Sequence, residues 1–404
     1  MINIHAMEDD ELMTSFSQRH KILATALATV FIGSGNATAK AVVDVDESEP
    51  LTTFSQAYKE YAISIKSGKY SADELVYVAK QTYQLGKAKF GSRHQSTFML
   101  QQNLANAYLE AGEYALSATN YESVINYHEE TQGDESQAYY FALLDIINLI
   151  YSAYKGPRLS ARDLGISQFG HNRAIAKLFE VTEKLILHMP ENSLLFRGHT
   201  VKTAVINNWT DKDQRFLKIA KQFNLDAKKN LGQDSVACIE SLTYIGQVYF
   251  GMQKYKDARV VFEQVLMSVK DQNAGMRQYG VIAHAHLVSL YARKNETKKA
   301  IFHSQAVGES GLWALKQKPL YQVSAKFPPP STANANINNA SVTITMDISK
   351  NGQPINMRIK SSTLVDFDKL AIDSLKQWYF APKFITDKFA VTTDFDVTIN
   401  FIRE

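Results

Sequence analysis

The sequence predicts a mostly α-helical protein that ends in a small α+β domain, and three features support this fold class. From Leu51 to Gln317 the chain has only two prolines, Pro157 and Pro190, and its aromatic and small residues recur at helical spacing. Three consecutive prolines, beginning at Pro328, then remove backbone donors and end the helical region. Beyond them, apolar residues alternate with a period of two on both sides of one short helical pattern.

The first 39 residues have the features of a secretory signal peptide. The basic segment Arg19–Lys21 precedes a short apolar run, Ile22–Ile32, and the small residues Ala37 and Ala39 follow at a cleavage site. The sequence therefore predicts a signal peptide over residues 1–39 that is cut after Ala39. The apolar run is shorter than the roughly 20 residues that a membrane-spanning helix requires. Retention of this segment as an uncleaved inner-membrane anchor is the alternative.

Composition excludes some classes of function. The net charge of +3 is too small to indicate nucleic-acid binding, and no basic run is interleaved with aromatic residues. Cys238 is the only cysteine, so an intrachain disulfide is impossible, and its apolar helical surroundings indicate a small core residue. The hydrophobic content of 45% is ordinary for a globular protein.

The helical region contains an internal repeat. Three stretches share the same order of small residues, where two helices would touch, and large residues, where they would fill a groove. The stretches are Leu104, Ala105, Tyr108, Gly112, Tyr114, Ser117, Tyr121 and Val124; Leu242, Ile245, Gly246, Tyr249, Tyr255, Ala258, Phe262 and Val265; and Leu287, Tyr291, Ala300, Ser304 and Val307, with Asn295 at the turn between helices.

These spacings resemble the tetratricopeptide (TPR) pattern. Gly91 and Gly133 lie 42 residues apart, which resembles the longer repeats of kinesin light chains, and such glycines are expected to end the second helix of a unit. We expect a TPR-like α-solenoid of about six helix pairs over residues 50–317. The residues expected to pack its helices are Leu104, Ala105, Tyr108, Tyr121, Leu242, Gly246, Tyr249, Ala258 and Phe262. A solenoid of this kind presents a groove for a peptide or protein; a spacer role is the alternative.

The C-terminal region predicts the order strand, strand, helix, strand. Asn351-Gly352 is a strong hairpin signal because both central residues of a type I′ turn need positive φ. The apolar residues alternate in the strands and recur at three- and four-residue spacing in the helix. They are Val342, Ile344, Met346 and Ile348; Ile355, Met357 and Ile359; Phe367, Leu370, Ala371, Leu375 and Trp378; and Val391, Phe395, Val397, Ile399 and Phe401.

From about Ala325 to Ile402 the sequence resembles the TonB C-terminal domain family. We expect a Pro-containing linker over residues 318–340 and the domain over residues 341–404, with its motif starting near residue 325. Phe327-Pro328 stands at the family's Tyr-Pro, Asn351-Gly352 at its hairpin turn and Phe367-Asp368 at the start of its helix. Trp378-Tyr379-Phe380-Ala381-Pro382 stands at the family's Trp-Arg-Phe-x-Pro, and Ser361 is a further landmark. The chain departs from the family pattern at Ala340, usually Gly; at Tyr379, usually Arg; and at Lys326, often Gln.

The resemblance implies a partner and a binding mode. In this family an extended peptide, the TonB box of an outer-membrane transporter, joins the sheet as another strand. The expected contact residues are Lys326, Phe327 and Pro328, with Asp396, Val397, Thr398, Ile399, Asn400 and Phe401 of the last strand. The alternative is that this edge serves folding alone or pairs with a second copy of the chain as a homodimer.

No pattern in the sequence indicates catalysis. Nucleophile-elbow, zinc-protease and phosphate-binding motifs are absent, so we expect neither enzymatic activity nor a cofactor. His284 and His286 are two residues apart on a predicted helix and point in different directions, so they are not expected to bind a metal together.

These features predict a periplasmic protein-interaction component of a TonB-type system, which helps couple inner-membrane energy to outer-membrane transport. The expected partners are an outer-membrane TonB-dependent transporter, ExbB–ExbD-type inner-membrane components, or both. The alternative is a periplasmic TPR scaffold or adaptor for an envelope complex that is unrelated to import.

Overall fold

A computed structural model describes residues 53–68, 70–155, 164, 166, 171–206, 214–269, 274–312, 318–328 and 338–402. The expected signal peptide, with Ala37 and Ala39, lies outside these residues. The described residues divide into two compact units, one that ends at Thr200 and one that begins at Val201. None of the helices in the described part of the chain combines the length and the hydropathy that crossing a membrane requires.

The first unit is built of consecutive helices, each of which packs against the next from α1 to α6. Their bounds are α1 Phe54–Ser67, α2 Ala72–Phe90, α3 Gln95–Glu110, α4 Tyr114–Gln132, α5 Gln137–Lys155 and α6 His171–His188. A short 3-10 turn, Pro190–Asn192, precedes α7 (Ser193–Ile206), which runs from the first unit into the second.

The second unit continues the helical pattern and ends in the sheet domain. Its helices are α8 Arg215–Leu231, α9 Val236–Gly251, α10 Tyr255–Val269, α11 Ala274–Ala292 and α12 Thr297–Glu309. Each packs on the next, and α9 also contacts α11, as first helices of neighbouring pairs do in repeat proteins. The predicted fold class, TPR-like helical repeats followed by a small antiparallel domain, is confirmed.

The packing between the two helices of a pair depends on small residues at the crossing. A Cβ atom built on Gly246 of α9 would lie 2.7 Å from the ring of Phe262 in α10, so only glycine allows this approach. In the first unit, Ala105 stands at the same position and the Ser117 hydroxyl donates a 2.8 Å hydrogen bond to its carbonyl oxygen. Of the residues expected to pack the helices, Leu104, Ala105, Tyr121, Gly246, Ala258 and Phe262 are buried, and Tyr108, Leu242 and Tyr249 are half-buried.

The turns between successive helix pairs share one glycine conformation. Gly91, Gly133 and Gly232 end α2, α4 and α8 with φ of 92°, 84° and 89° and ψ of 157°, 160° and 160°. This region of backbone space is essentially restricted to glycine. The prediction that Gly91 and Gly133 end second helices is therefore confirmed, and Gly232 ends α8 in the same way.

The turns inside the pairs need a left-handed residue at one equivalent position. It is Gly112 after α3, Gln253 after α9 and Asn295 after α11, with φ of 76°, 58° and 59°. Each lies eight residues after the matching leucine or isoleucine of its repeat. Of the three, Gln253 is the residue least suited to positive φ.

Replacement of Gln253 with glycine is therefore expected to raise the free energy of unfolding. A left-handed conformation costs a non-glycine residue about 1–2 kcal/mol, part of which the greater freedom of glycine in the unfolded chain cancels. We expect a gain of about 0.5–1 kcal/mol in urea denaturation. Lys254→Gly, one residue further on, is the matched control and should destabilise the protein. A loss of stability in Gln253→Gly would contradict the strain assigned to this turn.

The three histidines in the last repeat pack against aromatic rings, His284 edge to face on Phe302. His286 stacks on Phe262 with ring centroids 4.6 Å apart. His284 lies 2.7 Å, Nδ1 to Nδ1, from His303, which stacks on Tyr291. Burial lowers the pKa of His284 to about 4. Burial, with smaller contributions from the nearby His284 and Lys299, also lowers the pKa of His303 to about 3. Both rings are therefore neutral core residues near neutral pH.

The C-terminal domain is a three-stranded antiparallel sheet with one helix on its apolar face. The long strands are β2 Asn339–Ile348, β3 Pro354–Ser362 and β7 Thr392–Ile402, in the order β3-β2-β7. The helix is α13, Asp368–Leu375, preceded by a 3-10 turn at Val365–Phe367. Trp378, predicted on this helix, is buried just beyond its end.

Four short strands complete the domain and were not predicted. They are β1 Pro319–Tyr321, β4 Tyr379–Phe380, β5 Lys383–Ile385 and β6 Lys388–Ala390. β1 pairs with β4, and β5 pairs with β6 as a hairpin, both antiparallel. The pairing of β1 with β4 joins the start of the C-terminal region to the segment that follows α13.

Candidate functional site

The last strand, β7, lies at an edge of the three-stranded sheet. It pairs with β2 along its length, from Asn339 opposite Ile402 to Ile348 opposite Thr392, and no other described strand pairs with it. Its outer backbone groups are therefore available to an added strand, as at other sheet edges. The expected contact segment, Asp396–Phe401, lies within this strand.

The side chains of the expected segment alternate between two faces. Ile399 and Phe401 are buried in the core beneath the sheet, and Val397 is half-buried beside them. Asp396, Thr398 and Asn400 are exposed on the opposite face. The strand is thus fixed by its apolar face, while no other described strand covers its outer edge and its polar face is exposed among the described residues.

A distortion near the start of β7 is held by one carboxylate. Asp394 has a φ of 54°, at an irregularity in the pairing with β2, and Asn356 of β3 has a φ of 52°. Asp347, between them on β2, accepts hydrogen bonds from the Asn356 side chain at 2.8 Å and from the Asp394 backbone at 3.0 Å. These bonds lower the pKa of Asp347, that from Asn356 contributing most.

The polar face of the sheet carries an ordered set of charges. Arg358 donates to the Asp394 carboxylate at 2.9 Å, and Lys360 forms an ion pair with Asp396. The Thr345 hydroxyl also donates to Asp396, at 2.6 Å. The hydrogen bond from Lys360, followed by that from Thr345, lowers the pKa of Asp396. Basic residues thus lie on β3 and acidic residues on β7.

The other expected contact segment, Lys326–Pro328, lies near the same core. Phe327 packs edge to face on Phe367, with ring centroids 5.1 Å apart, and Phe367 packs in turn on Phe401 of β7 at 4.8 Å. Lys326 is exposed, and Pro328 is half-buried. The structure therefore connects Phe327 to the end of β7 through the ring of Phe367.

The chain just before Lys326 is fastened to the region around α13. The carbonyl oxygen of Val323 accepts a hydrogen bond from the Ser374 hydroxyl at 2.6 Å and one from the Trp378 indole nitrogen at 3.0 Å. Both donors are buried. Because two buried donors depend on this one carbonyl, residues 319–323 form part of the domain's packing.

Sequence reasoning missed that the sheet domain packs directly on the last helix pair. Leu320 of β1 is fully buried and Tyr379 of β4 is 6% exposed, and both belong to the apolar core formed by α9, α10, α11 and α12. The Ser289 hydroxyl of α11 donates a 2.8 Å hydrogen bond to the carbonyl oxygen of Leu320. The only sequence signal was the departure from the family's usual arginine at position 379.

The helix α12 also contacts the hairpin turn of the sheet. The Ser304 hydroxyl lies 3.2 Å from the carbonyl oxygen of Asn351, and Gln305 donates to the carbonyl oxygen of Lys350 at 3.3 Å. The backbone nitrogen of Phe380 donates a 2.7 Å hydrogen bond to the carbonyl oxygen of Gly352. The hairpin predicted at Asn351-Gly352 forms and is held between α12 and β4, but its predicted turn type is wrong: only Gly352, with a φ of 75°, and not Asn351, has a positive φ.

One helical glycine permits this contact. A Cβ atom built on Gly308 of α12 would overlap the carbonyl oxygen of Pro382 and would lie 3.2 Å from two ring atoms of that proline. A backbone oxygen cannot move aside as the end of a side chain can. Gly308 and the proline of the Trp-Tyr-Phe-Ala-Pro segment therefore form a close junction, which we call the α12 junction, together with Ser304, Gln305, Asn351 and Gly352.

Comparison with solved structures found similarity to TPR-like repeats. The crystal structure of the nearly identical TPR-like repeats of a protein described as a Podosopora anserina kinesin light chain is 16% identical, covers 55% of this chain and 97% of that chain, and gives a TM-score of 0.42. A variant of the same protein with one substitution is 15% identical, covers 54% of this chain and 94% of that chain, and gives a TM-score of 0.41. No curated protein matches the sequence.

Comparison with family models identifies the C-terminal region. The match begins within the proline run and ends at the last residue of β7, so it includes the whole three-stranded sheet, α13 and the segment that contacts α12. Residues 329–402 match the family described as the C-terminal domain of Gram-negative bacterial TonB proteins.

Proposed function

We propose that this chain is a periplasmic protein-interaction component of a TonB-type system. In this proposal the sheet domain captures an extended segment of an outer-membrane transporter, which adds to β7 as a further strand. The position of β7 at the edge of the sheet, with its apolar face anchored through Ile399 and Phe401, is the observation that carries the proposal. Binding would use Asp396–Phe401, with Lys326–Pro328 nearby.

The helical repeats have a separate role in this proposal. Repeat proteins of this type use the surface of their stacked helices to hold a peptide or another protein. We propose that the helical repeats bind an inner-membrane or periplasmic component, such as one of ExbB–ExbD type. The α12 junction would then carry a pull on β7 into the last helix pair without an intervening flexible tether.

Photo-crosslinking in cells tests the proposed partner. A crosslinking residue at Thr398 or at Asn400, both exposed on β7, is expected to yield an adduct with an outer-membrane transporter. Ser361, exposed on the opposite edge strand β3, is the matched control and is expected to yield none. Deletion of residues 325–404 should reduce uptake through at least one transporter.

The same experiment distinguishes the adaptor function. Adducts from Thr398 and Asn400 to periplasmic proteins alone, with uptake unchanged after deletion, would favour a scaffold that is unrelated to import. Adducts to a second copy of the chain would indicate that the β7 edge serves self-association. Either result would replace the proposed role in transport.

A further inference from the structure

The two edges of the C-terminal sheet carry opposite charges on the same face. The edge strand β3 presents Arg358 and Lys360, and the edge strand β7 presents Asp394 and Asp396. The ion pairs Arg358–Asp394 and Lys360–Asp396 reach across the middle strand, which places all four side chains on one side of the sheet. A strand that adds to β7 would therefore lie beside the acidic edge, while the cationic groups of Arg358 and Lys360 approach the same carboxylates from the β3 side.

The carboxylates of β7 can accept a second cation. The side chains of Asp394 and Asp396 are 73% and 43% exposed. Arg358 and Lys360 each pair with one of these carboxylates, but exposed ion pairs are weak, so a cation on an added strand can compete for Asp394 and Asp396. The other exposed residues of the expected segment, Thr398 and Asn400, are uncharged, so an incoming strand meets no basic side chain on β7 itself.

The acidic side chains belong to the strand next to the added one, whereas the basic side chains reach them from β3. Neighbouring strands lie about 4.8 Å apart, so an added strand is one strand spacing from the backbone that carries Asp394 and Asp396, and the cationic groups of Arg358 and Lys360 contact these carboxylates from the opposite side. Opposite charges on adjacent strands stabilise the pairing and like charges destabilise it. On the other face of β7, the half-buried Phe395 and Val397 would contact apolar side chains.

We propose that β7 selects an extended segment in which lysine or arginine residues alternate with apolar residues. The basic side chains would lie beside Asp394 and Asp396, and the apolar ones would lie beside Phe395 and Val397. This inference rests on the proposed strand addition at β7 and specifies the chemistry of the segment that is added. Asp394 and Asp396 would then be the residues that determine specificity.

Binding of three synthetic peptides to the full chain tests this specificity. The peptides are ten residues long, share the same alternate valines, and differ only in the residues between them, which are lysine, serine or glutamate. We expect affinities in the order lysine, serine, glutamate, with about a tenfold difference between the first and the last at low salt. High salt should reduce this difference.

Nonspecific attraction cannot produce this order. The whole chain has a net charge of +3, which would favour the glutamate peptide. The double variant Asp394→Asn and Asp396→Asn should bind all three peptides within about twofold of one another and should retain its affinity for the serine peptide, which shows that the sheet is folded. Asp373→Asn, which removes an exposed ion-paired carboxylate from α13, is the matched control and should keep the wild-type order.

The outcomes separate this inference from the proposed function. If the glutamate peptide binds as tightly as the lysine peptide, the specificity is wrong and strand addition stands. If no peptide binds, strand addition at β7 itself is wrong. In β3, Arg358 and Lys360 alternate with Met357 and Ile359, so a second copy could supply the same chemistry. A dimer at the assay concentration that dissociates in the double variant would overturn the assignment to a separate peptide.

Discussion

Replacement of Gly308 with alanine is expected to loosen the sheet domain from α12. At an ordinary helical position this substitution stabilises a protein by about 0.5–1 kcal/mol. Here the added methyl group would overlap the carbonyl oxygen of Pro382, which is part of the backbone. The contact must open, so the hydrogen bonds that Ser304 and Gln305 make with the hairpin turn are expected to weaken as well. We expect a net loss of about 2 kcal/mol of local stability.

Hydrogen exchange measured by mass spectrometry would detect this opening. Backbone amides of residues 320–323 and 379–381 should exchange about tenfold to a hundredfold faster, whereas those of β2 and β7 should keep their protection. Gly280→Ala in α11 is the matched control, because its new methyl group would meet only a side-chain atom, Cγ1 of Val269, at 3.3 Å. Unchanged exchange in Gly308→Ala would show that the α12 junction is not a close contact.

The main helices and strands were predictable because the spacing of apolar residues along the chain follows which face of each element is buried. Val342, Ile344, Met346 and Ile348 alternate with polar residues since one face of β2 is buried and the other is solvated. The helix-ending glycines were predictable as well, because the conformation of Gly232 is one that other residues do not adopt. Gln253 gave no such signal, although it occupies a left-handed position.

The remaining features depend on contacts that no local pattern records. β1 and β4 contain three and two residues, too few to show a period, and they pair Pro319 with Phe380 across a long stretch of sequence. The bulged conformation of Asp394 depends on a hydrogen bond to Asp347, which lies on another strand. The charge difference between the two sheet edges could not be predicted, because it depends on the strand order β3-β2-β7 and the sequence does not show which strand lies in the middle.

The departure from the family pattern at position 379 has a physical explanation in the α12 junction's neighbourhood. Tyr379 replaces the usual arginine and is buried in the core shared with α11 and α12, where its ring lies 6.4 Å from that of Tyr321. The guanidinium group of Arg293 lies 5.8 Å from the centre of the Tyr321 ring. An aromatic residue at position 379 can therefore be buried here, whereas an arginine would place a charge in an apolar core.

Tyr379→Arg is accordingly expected to detach the sheet domain from the last helix pair. Burial of an unpaired charge costs several kcal/mol, so the guanidinium group should move to solvent and carry β4 away from Leu320. We expect a loss of about 3 kcal/mol, measured by chemical denaturation, and increased exchange in β1. Tyr379→Phe retains the ring and should remain within about 1 kcal/mol of the wild type. If Tyr379→Arg were as stable as the wild type, the residue at position 379 would not hold the sheet domain against the helices. The connection proposed to transmit force would then lack its main apolar contact.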